Sequence, residues 1–541
     1  MKKTLKALSI PFLCALVLSA CGGETSSTTS GEENSSTSSS IDYSSIDRTH
    51  ALITITNDTH SQEKIYSPDE VKISETYNSL EEVKHYNTQS LPSQGDVNLL
   101  VVPVLIPGYE EIDIDGDGED DKEEVREDLK TTFFGEAEET AWQSVSSYYE
   151  TSSYGKLHIG GTVTDWFDLS EAGYDDYDID VSDTLDVATA AVDWVKNSTD
   201  IKLTDYDSDK DGYIDGLWLI YSAPDYKNGG PVTDNNNYWA YTTWGNQTTD
   251  SGGEAPNVNS PVYNLYGWAG YDFMYEGYGT SSLDAHTYIH ETGHFLGFGD
   301  YYSDNSSYNP IGKIDMMDGN IIDLNSYSKM LVGWTNPYIV CGNGTIDLSC
   351  MENENACIVI PGDDYVYDEE KGFDPFSEYM VIELYNNTGL NYFDSLEAYS
   401  DVSPRAMSTT GVRIYHVNNS KYIINTEDTN NIQAELYTDQ IIDSHNRIIL
   451  PITNNTGYNT YNSTFGFPTS NNLWDEIRLI EASGSDTFTS GGYQKSSSLF
   501  KAGSSFSMET YGEEFFDRGT TFDTGGTLSC TVSIDSIEEA D

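Results

Sequence analysis

This chain is poor in positive charge. Lys and Arg number 26 against 90 Asp and Glu, leaving a formal net charge of −64 over 541 residues. Nucleic acid is excluded as a partner, because binding it requires a basic footprint, and an acidic membrane surface would repel the chain. Divalent cations are the natural counter-charges, although acidity also serves the solubility of an exported protein. Long apolar runs are scarce as well: the stretch from Ala7 to Leu18 is too short to span a bilayer, and no later segment could. No Gly-rich phosphate loop follows a strand and no Gly-x-Ser-x-Gly elbow occurs, so nucleotide-dependent and serine-hydrolase chemistry lack their hardware. Aromatic residues are not scarce. At 12% of the chain, with 40 Tyr, they exclude a disordered polymer.

Cysteine is limited to 6 residues. Cys14 lies in the first apolar run, which follows Lys2, Lys3 and Lys6 and ends in Leu18-Ser19-Ala20-Cys21. This pattern resembles a bacterial lipoprotein signal. The resemblance implies cleavage before Cys21, lipidation of Cys21, and residence on the extracellular face of a bacterial membrane or release from it, with the lipid as the sole membrane contact. Cys341, Cys350, Cys357 and Cys530 remain, and their outward location permits disulfides. Two bridges in the C-terminal region are expected, in one of three pairings.

A chain of this length exceeds one hydrophobic core. Residues 1–20 read as the signal, 21–45 as a Ser/Thr-rich tether, and 46–94 as an N-terminal extension or pro-segment. Residues 95–340 read as an α+β catalytic domain with a twisted mixed sheet and an active-site helix. Short strands punctuated by Asn, Gly, Ser and Thr over 341–541 predict an all-β, sandwich-like domain. The run Val97–Ile106 predicts a buried strand, residues 122–134 and 138–151 two helices, and Ser182 the cap of a third.

The chemistry concentrates in His290-Glu291-Thr292-Gly293-His294-Phe295-Leu296-Gly297-Phe298-Gly299-Asp300. On a helix beginning near Ser281 or Ser282, His290 and His294 stand on one face and can hold zinc while leaving a position open. Glu291 beside them is placed to act as general base on a zinc-activated water. Asp300, beyond a turn permitted by Gly297, is the candidate third ligand. His286 competes for that role, but a helix spreads 286, 290 and 294 over about 12 Å, too far for one ion. Downstream, Asp315-Met316-Met317-Asp318-Gly319-Asn320 reads as a turn that sets a Met beneath the metal.

The run His290–Tyr302, the Met turn, and Ser326-Tyr327-Ser328-Lys329-Met330-Leu331-Val332-Gly333-Trp334 resemble the immune inhibitor A family of secreted bacterial metallopeptidases. So do Ser144–Leu157, Glu378–Glu383 and Gly411–Val417. The resemblance implies zinc held by His290 and His294, with Asp300 carried over as third ligand, and Glu291 as base. It departs at Leu324, where family members often carry His.

Two acidic loops fit calcium. Asp113, Asp115, Asp117 and Glu124 satisfy a twelve-residue calcium-loop spacing. Asp207, Asp209, Asp211 and Asp215 form a shorter relative without the closing Glu. The expectation is therefore an exported, lipid-anchored, monomeric zinc endopeptidase that also binds calcium and acts on proteins or peptides. The rival is a catalytically silent surface binder or adhesin on the same scaffold.

Overall fold

The computed structural model describes residues 49–60, 62–74, 91–179, 181–233, 237–244, 256–277, 282–303, 307–400, 403–425, 434–436, 446–449, 454, 475–516 and 518–539. The expected signal, Cys21 and the tether lie outside the described residues. The first elements are β1 (His50–Thr56), β2 (Lys64–Tyr66), β3 (Gly95–Leu105), α1 (Lys122–Phe134), α2 (Val145–Ser152) and β4 (Leu157–Val163). There follow β5 (Phe167–Asp168), α3 (Val181–Ser198), β6 (Gly216–Tyr221), β7 (Tyr241–Trp244), β8 (Leu265–Gly270), α4 (His286–Phe295) and α5 (Ser326–Leu331).

Strands β4-β3-β6-β8-β7 form one sheet, parallel except where β7 runs antiparallel along β8. In β3, Leu99 and Val101 join a core with Phe133 of α1, Tyr149 of α2 and Ile289 of α4. Leu100, Val102 and Val104 point the other way, into a core with Val187, Ala188 and Val192 of α3. A sheet covered on both faces buries every second residue on each side, which is why β3 reads as an unbroken apolar run. The helix expected at 138–151 begins later. Residues 137–139 form a single tight turn, and Ser144 and Ser147 cap α2 reciprocally, each hydroxyl accepting from the other's backbone N–H at 2.9–3.0 Å.

The second half supplies β9 (Tyr338–Cys341), β10 (Gly344–Ser349), β11 (Cys357–Pro361), β12 (Glu378–Tyr385), β13 (Gly411–Asn418), β14 (Tyr422–Asn425), β15 (Ala434–Leu436) and β16 (Asn446–Ile449). It ends with β17 (Ile477–Leu479), β18 (Ser505–Ser507) and β19 (Thr531–Glu538). Two sheets, β10-β1-β19-β18 and β17-β13-β12-β11-β9-β2, share a core that includes Ile53, Leu348 and Val532 from one and Ile358, Ile382 and Ile414 from the other. Residues 50–56 and 64–66 are thus strands of these C-terminal sheets: β1 sits between β10 and β19, and β2 pairs with β9. The unit built on β3–β8 is inserted between β2 and β9.

The four cysteines correct an expectation. Cys341, Cys350, Cys357 and Cys530 are all buried, and none of them is joined in a disulfide. They sit among apolar side chains, where burial pushes Cys341 and Cys530 up to about 12 and keeps them as inert thiols. Among the described residues no helix is long and apolar enough to cross a membrane.

Because β1 is a central strand, truncating its core should unsettle the whole C-terminal unit. Ile53→Ala, at a fully buried position, should cost about 2–5 kcal/mol, read as a lower denaturant midpoint. An unchanged midpoint would show that β1 is not integral to the fold.

Candidate metal centre

Helix α4 starts at His286, because the Asp284 carboxylate accepts from the His286 N–H at 2.9 Å just ahead of it, later than the expected start near Ser281 or Ser282. It ends at Phe295, and just beyond its cap Gly297 has a φ of +98°, open to glycine and strained for other residues. The Gly297 N–H donates to the His294 carbonyl at 3.0 Å and the Phe298 N–H to that of Gly293 at 3.2 Å, closing a left-handed C-terminal cap. The reversal returns Asp300 to the face that carries both histidines.

There, His290 Nε2 lies 3.0 Å and His294 Nε2 3.4 Å from the same Asp300 oxygen, Oδ1. The opposite ring nitrogens are taken: Nδ1 of His290 donates to the Met316 carbonyl at 2.8 Å, and Nδ1 of His294 to that of Phe298 at 2.7 Å. In the neutral rings this fixes the tautomer, leaving both Nε2 lone pairs aimed into the site. Glu291 Oε2 stands 3.9 Å from His294 Nε2, buried and without a hydrogen bond. Burial raises the Glu291 pKa against the opposing pull of His294 and His290. One ligand atom from each of His290, Glu291 and His294 falls within 4.8 Å of the others.

His286 does not join this group. It packs half-buried against the Tyr399 ring, with centroids 4.7 Å apart, and desolvation together with His290 pushes its pKa down to about 3. The Met turn lies directly beneath α4. A Cβ on Gly293 would meet Met317 Sδ at 2.5 Å, so Met317 is the methionine packed under the helix, while Met316 contributes its carbonyl to His290. Asp315 pins the turn, accepting from the Met317 N–H at 3.0 Å through Oδ1 and from the Asn325 side-chain amide at 2.8 Å through Oδ2. Tyr327, in the family-like run after the Met turn, donates to Glu476 at 2.8 Å inside the core. Sequence reasoning missed Tyr302, whose ring stacks on His290 with centroids 6.4 Å apart, although it sits two residues past Asp300. It also missed Thr242 of β7, whose hydroxyl donates to the Glu291 carbonyl at 3.0 Å and which has no local signal.

Residues 120–321 match the family model of the immune inhibitor A peptidase M6 catalytic domain. The matched segment, from the start of α1 through the Met turn, therefore resembles a metallopeptidase domain and contains every residue just described except Tyr399, Tyr327, Glu476 and Asn325. No curated protein matches the chain.

Within the M6-like segment the second acidic loop is the better formed. Asp207, Asp209 and Asp211 converge within 4.8 Å. Asp215 stands behind them, accepting from the Ser208 N–H at 3.1 Å, and burial pushes it up to about 7. At the other loop, Asp113, Asp115 and Asp121 converge, whereas Asp117 and Glu124 are not brought into the group. Glu124 lies in the exposed first turn of α1, and Asp113 accepts from the N–H groups of Gly116, Asp117 and Gly118 at 2.7–3.1 Å.

Burial opposes a proton on His294, but Asp300 outweighs it and holds the group up to about 9, against 6.5 for a free imidazole. Burial likewise resists ionisation of Asp300, and His294 and His290 outweigh it, holding the carboxyl well below its usual range. The raised His294 stabilises the metal-free fold fully below 6.5 and loses that contribution as pH rises through about 9. Asp300 does the opposite, losing its contribution only in strong acid. The thermal midpoint of chelator-treated protein should therefore fall between pH 6.5 and about 9; a midpoint that rises over this interval would contradict the pairing.

Proposed function

We propose that the chain is an exported, lipid-anchored zinc endopeptidase in which His290, His294 and Asp300 hold zinc and Glu291 is the general base. The observation that carries this reading is the convergence of both Nε2 atoms on Asp300 Oδ1 beside a buried carboxylate oxygen that accepts no hydrogen bond. The donor set fits: two imidazoles with fixed tautomers and one carboxylate are a common catalytic zinc triad, and a fourth position stays open. Zinc held there supplies Lewis acidity, polarising a scissile carbonyl and acidifying water.

The chain's own residues do the rest. Glu291 Oε2 takes the proton of the attacking water and delivers it to the leaving amine, and its burial raises its basicity for that task. The Met316 and Phe298 carbonyls keep the two rings oriented through the cycle. Strand β7 is the antiparallel edge of the central sheet and is tied to α4 through Thr242. Among the described residues no strand pairs with its outer edge, where an extended peptide would find backbone groups, which supports a protein or peptide substrate. The core shared by the two C-terminal sheets supports a sandwich-like accessory domain.

Glu291→Gln should retain zinc yet lose about 10²–10⁴-fold in casein or peptide-library hydrolysis. If metal-replete wild type and this variant were equally inert on a broad library, the enzyme reading would give way to a silent binder.

We also assign calcium to Asp207, Asp209 and Asp211. Asp207 is 4% exposed, and its Oδ1 is buried with no hydrogen-bond partner beside two further carboxylates. An uncompensated oxygen there is costly without a cation. Added calcium should raise the thermal midpoint of the wild type, and Asp207→Asn should abolish most of that rise. Equal rises in both proteins would remove this site.

A further inference from the structure

A second mixed-donor cluster lies far along the chain from the peptidase motif. Glu378 opens β12, His416 lies near the end of β13, and Asp523 belongs to the loop before β19. One ligand atom from each lies within 4.8 Å of the others. The antiparallel register sets His416 opposite Met380 and Asn418 opposite Glu378, so Glu378 and His416 share one face of the sheet. That face is apolar: the His416 ring lies 4.4 Å from Phe516 and 5.8 Å from Phe522, centroid to centroid.

We propose that Glu378, His416 and Asp523 form a structural zinc site that ties the loop of Phe522–Thr524 to strands β12 and β13. Three observations converge on it. The first is burial: the side chains of His416 and Glu378 are 5% and 3% exposed, and Asp523 is 5% exposed. The second is charge. Two carboxylates face one imidazole, so even a protonated His416 leaves an excess negative charge in an apolar enclosure, whereas a divalent ion balances the set. The nearby guanidinium of Arg478 does not supply the balance, because it is paired with Asp486 and donates to the Phe515 carbonyl at 3.0 Å. The third is donor chemistry. A ring nitrogen with two carboxylates suits zinc, while calcium takes oxygen ligands throughout.

The loop is already shaped around Glu378. Its Oε1 accepts from the Asp523 N–H at 2.6 Å, and Oε2 accepts from the Thr524 N–H at 2.9 Å and the Thr524 hydroxyl at 2.6 Å. His416 Nε2 stands 2.8 Å from the same Oε1. Zinc takes the place of the proton shared between these two atoms, and that proton leaves to solvent. The result is a cross-link between the last strand's approach and the middle of the sheet.

The test uses the full chain with His290→Ala and His294→Ala, which removes the peptidase site. This protein is loaded with zinc in calcium-containing buffer, gel-filtered and analysed for metal. About one zinc per chain is expected to remain, falling to under about a tenth when His416→Gln or Asp523→Asn is added. Circular dichroism confirms that each variant is folded. X-ray absorption of the retained zinc should show a single imidazole with oxygen ligands, a signature that does not depend on any further variant. Retention of less than about a tenth of a zinc in the double variant overturns the proposal, as does retained zinc that both added substitutions leave in place.

Discussion

Burying a carboxylate beneath a helix is unfavourable unless something charged meets it, and Asp300 is where this structure meets that constraint. Its Oδ1 draws together two imidazoles four residues apart on α4. Each imidazole is then turned outward to a backbone carbonyl at Met316 or Phe298. Much of the surrounding architecture answers to this arrangement: the left-handed turn at Gly297, the absence of a Cβ at Gly293, and the Met317 side chain filling the space so created. The same groups that stabilise one another without metal are the groups to which the proposed function assigns zinc.

The Met turn links this centre to the C-terminal sheets through a relay of buried polar groups. Asp315 holds both the Met317 N–H and the amide of Asn325, and Asn325 in turn caps α5 by accepting from the Ser328 N–H at 3.0 Å. The next residue, Ser326, donates its N–H to Glu383 of β12 at 2.8 Å, and Glu383 pairs with Arg413 of β13 at 2.8 Å with both side chains essentially inaccessible. Breaking such a pair leaves an uncompensated buried charge. The floor of the candidate metal centre therefore rests on the C-terminal unit, which is itself closed by the N-terminal strands β1 and β2.

How legible this was depended on the range of the interaction. The clustering of His290, Glu291 and His294 was readable because a helix converts a four-residue spacing into a shared face. Strand β3 was readable because burial on both faces leaves no polar alternation. The start of α4 was not, because an Asp284 side chain overrides the apolar pattern that extends upstream. The expected disulfides failed for a related reason: spacing in sequence does not say which thiols meet, and here all four are buried without forming a bridge. Glu124 fits the calcium-loop spacing in sequence but belongs to the first turn of α1, where the helix directs it elsewhere.

By itself the sequence determined that His290 and His294 share one face of α4, that Glu291 stands beside them and where the turn after the helix falls, since all of these follow from local backbone periodicity and one permissive glycine. Only the tertiary structure decided that Asp300 reaches both rings, that Met317 rather than Met316 packs beneath them, and that Thr242 braces the helix from the sheet edge. It alone placed β1 beside a strand nearly the whole chain away and β2 beside one about half the chain away. Sheet pairing and core packing couple residues without regard to their separation, and no local pattern encodes which distant partner a buried edge or a buried charge will find.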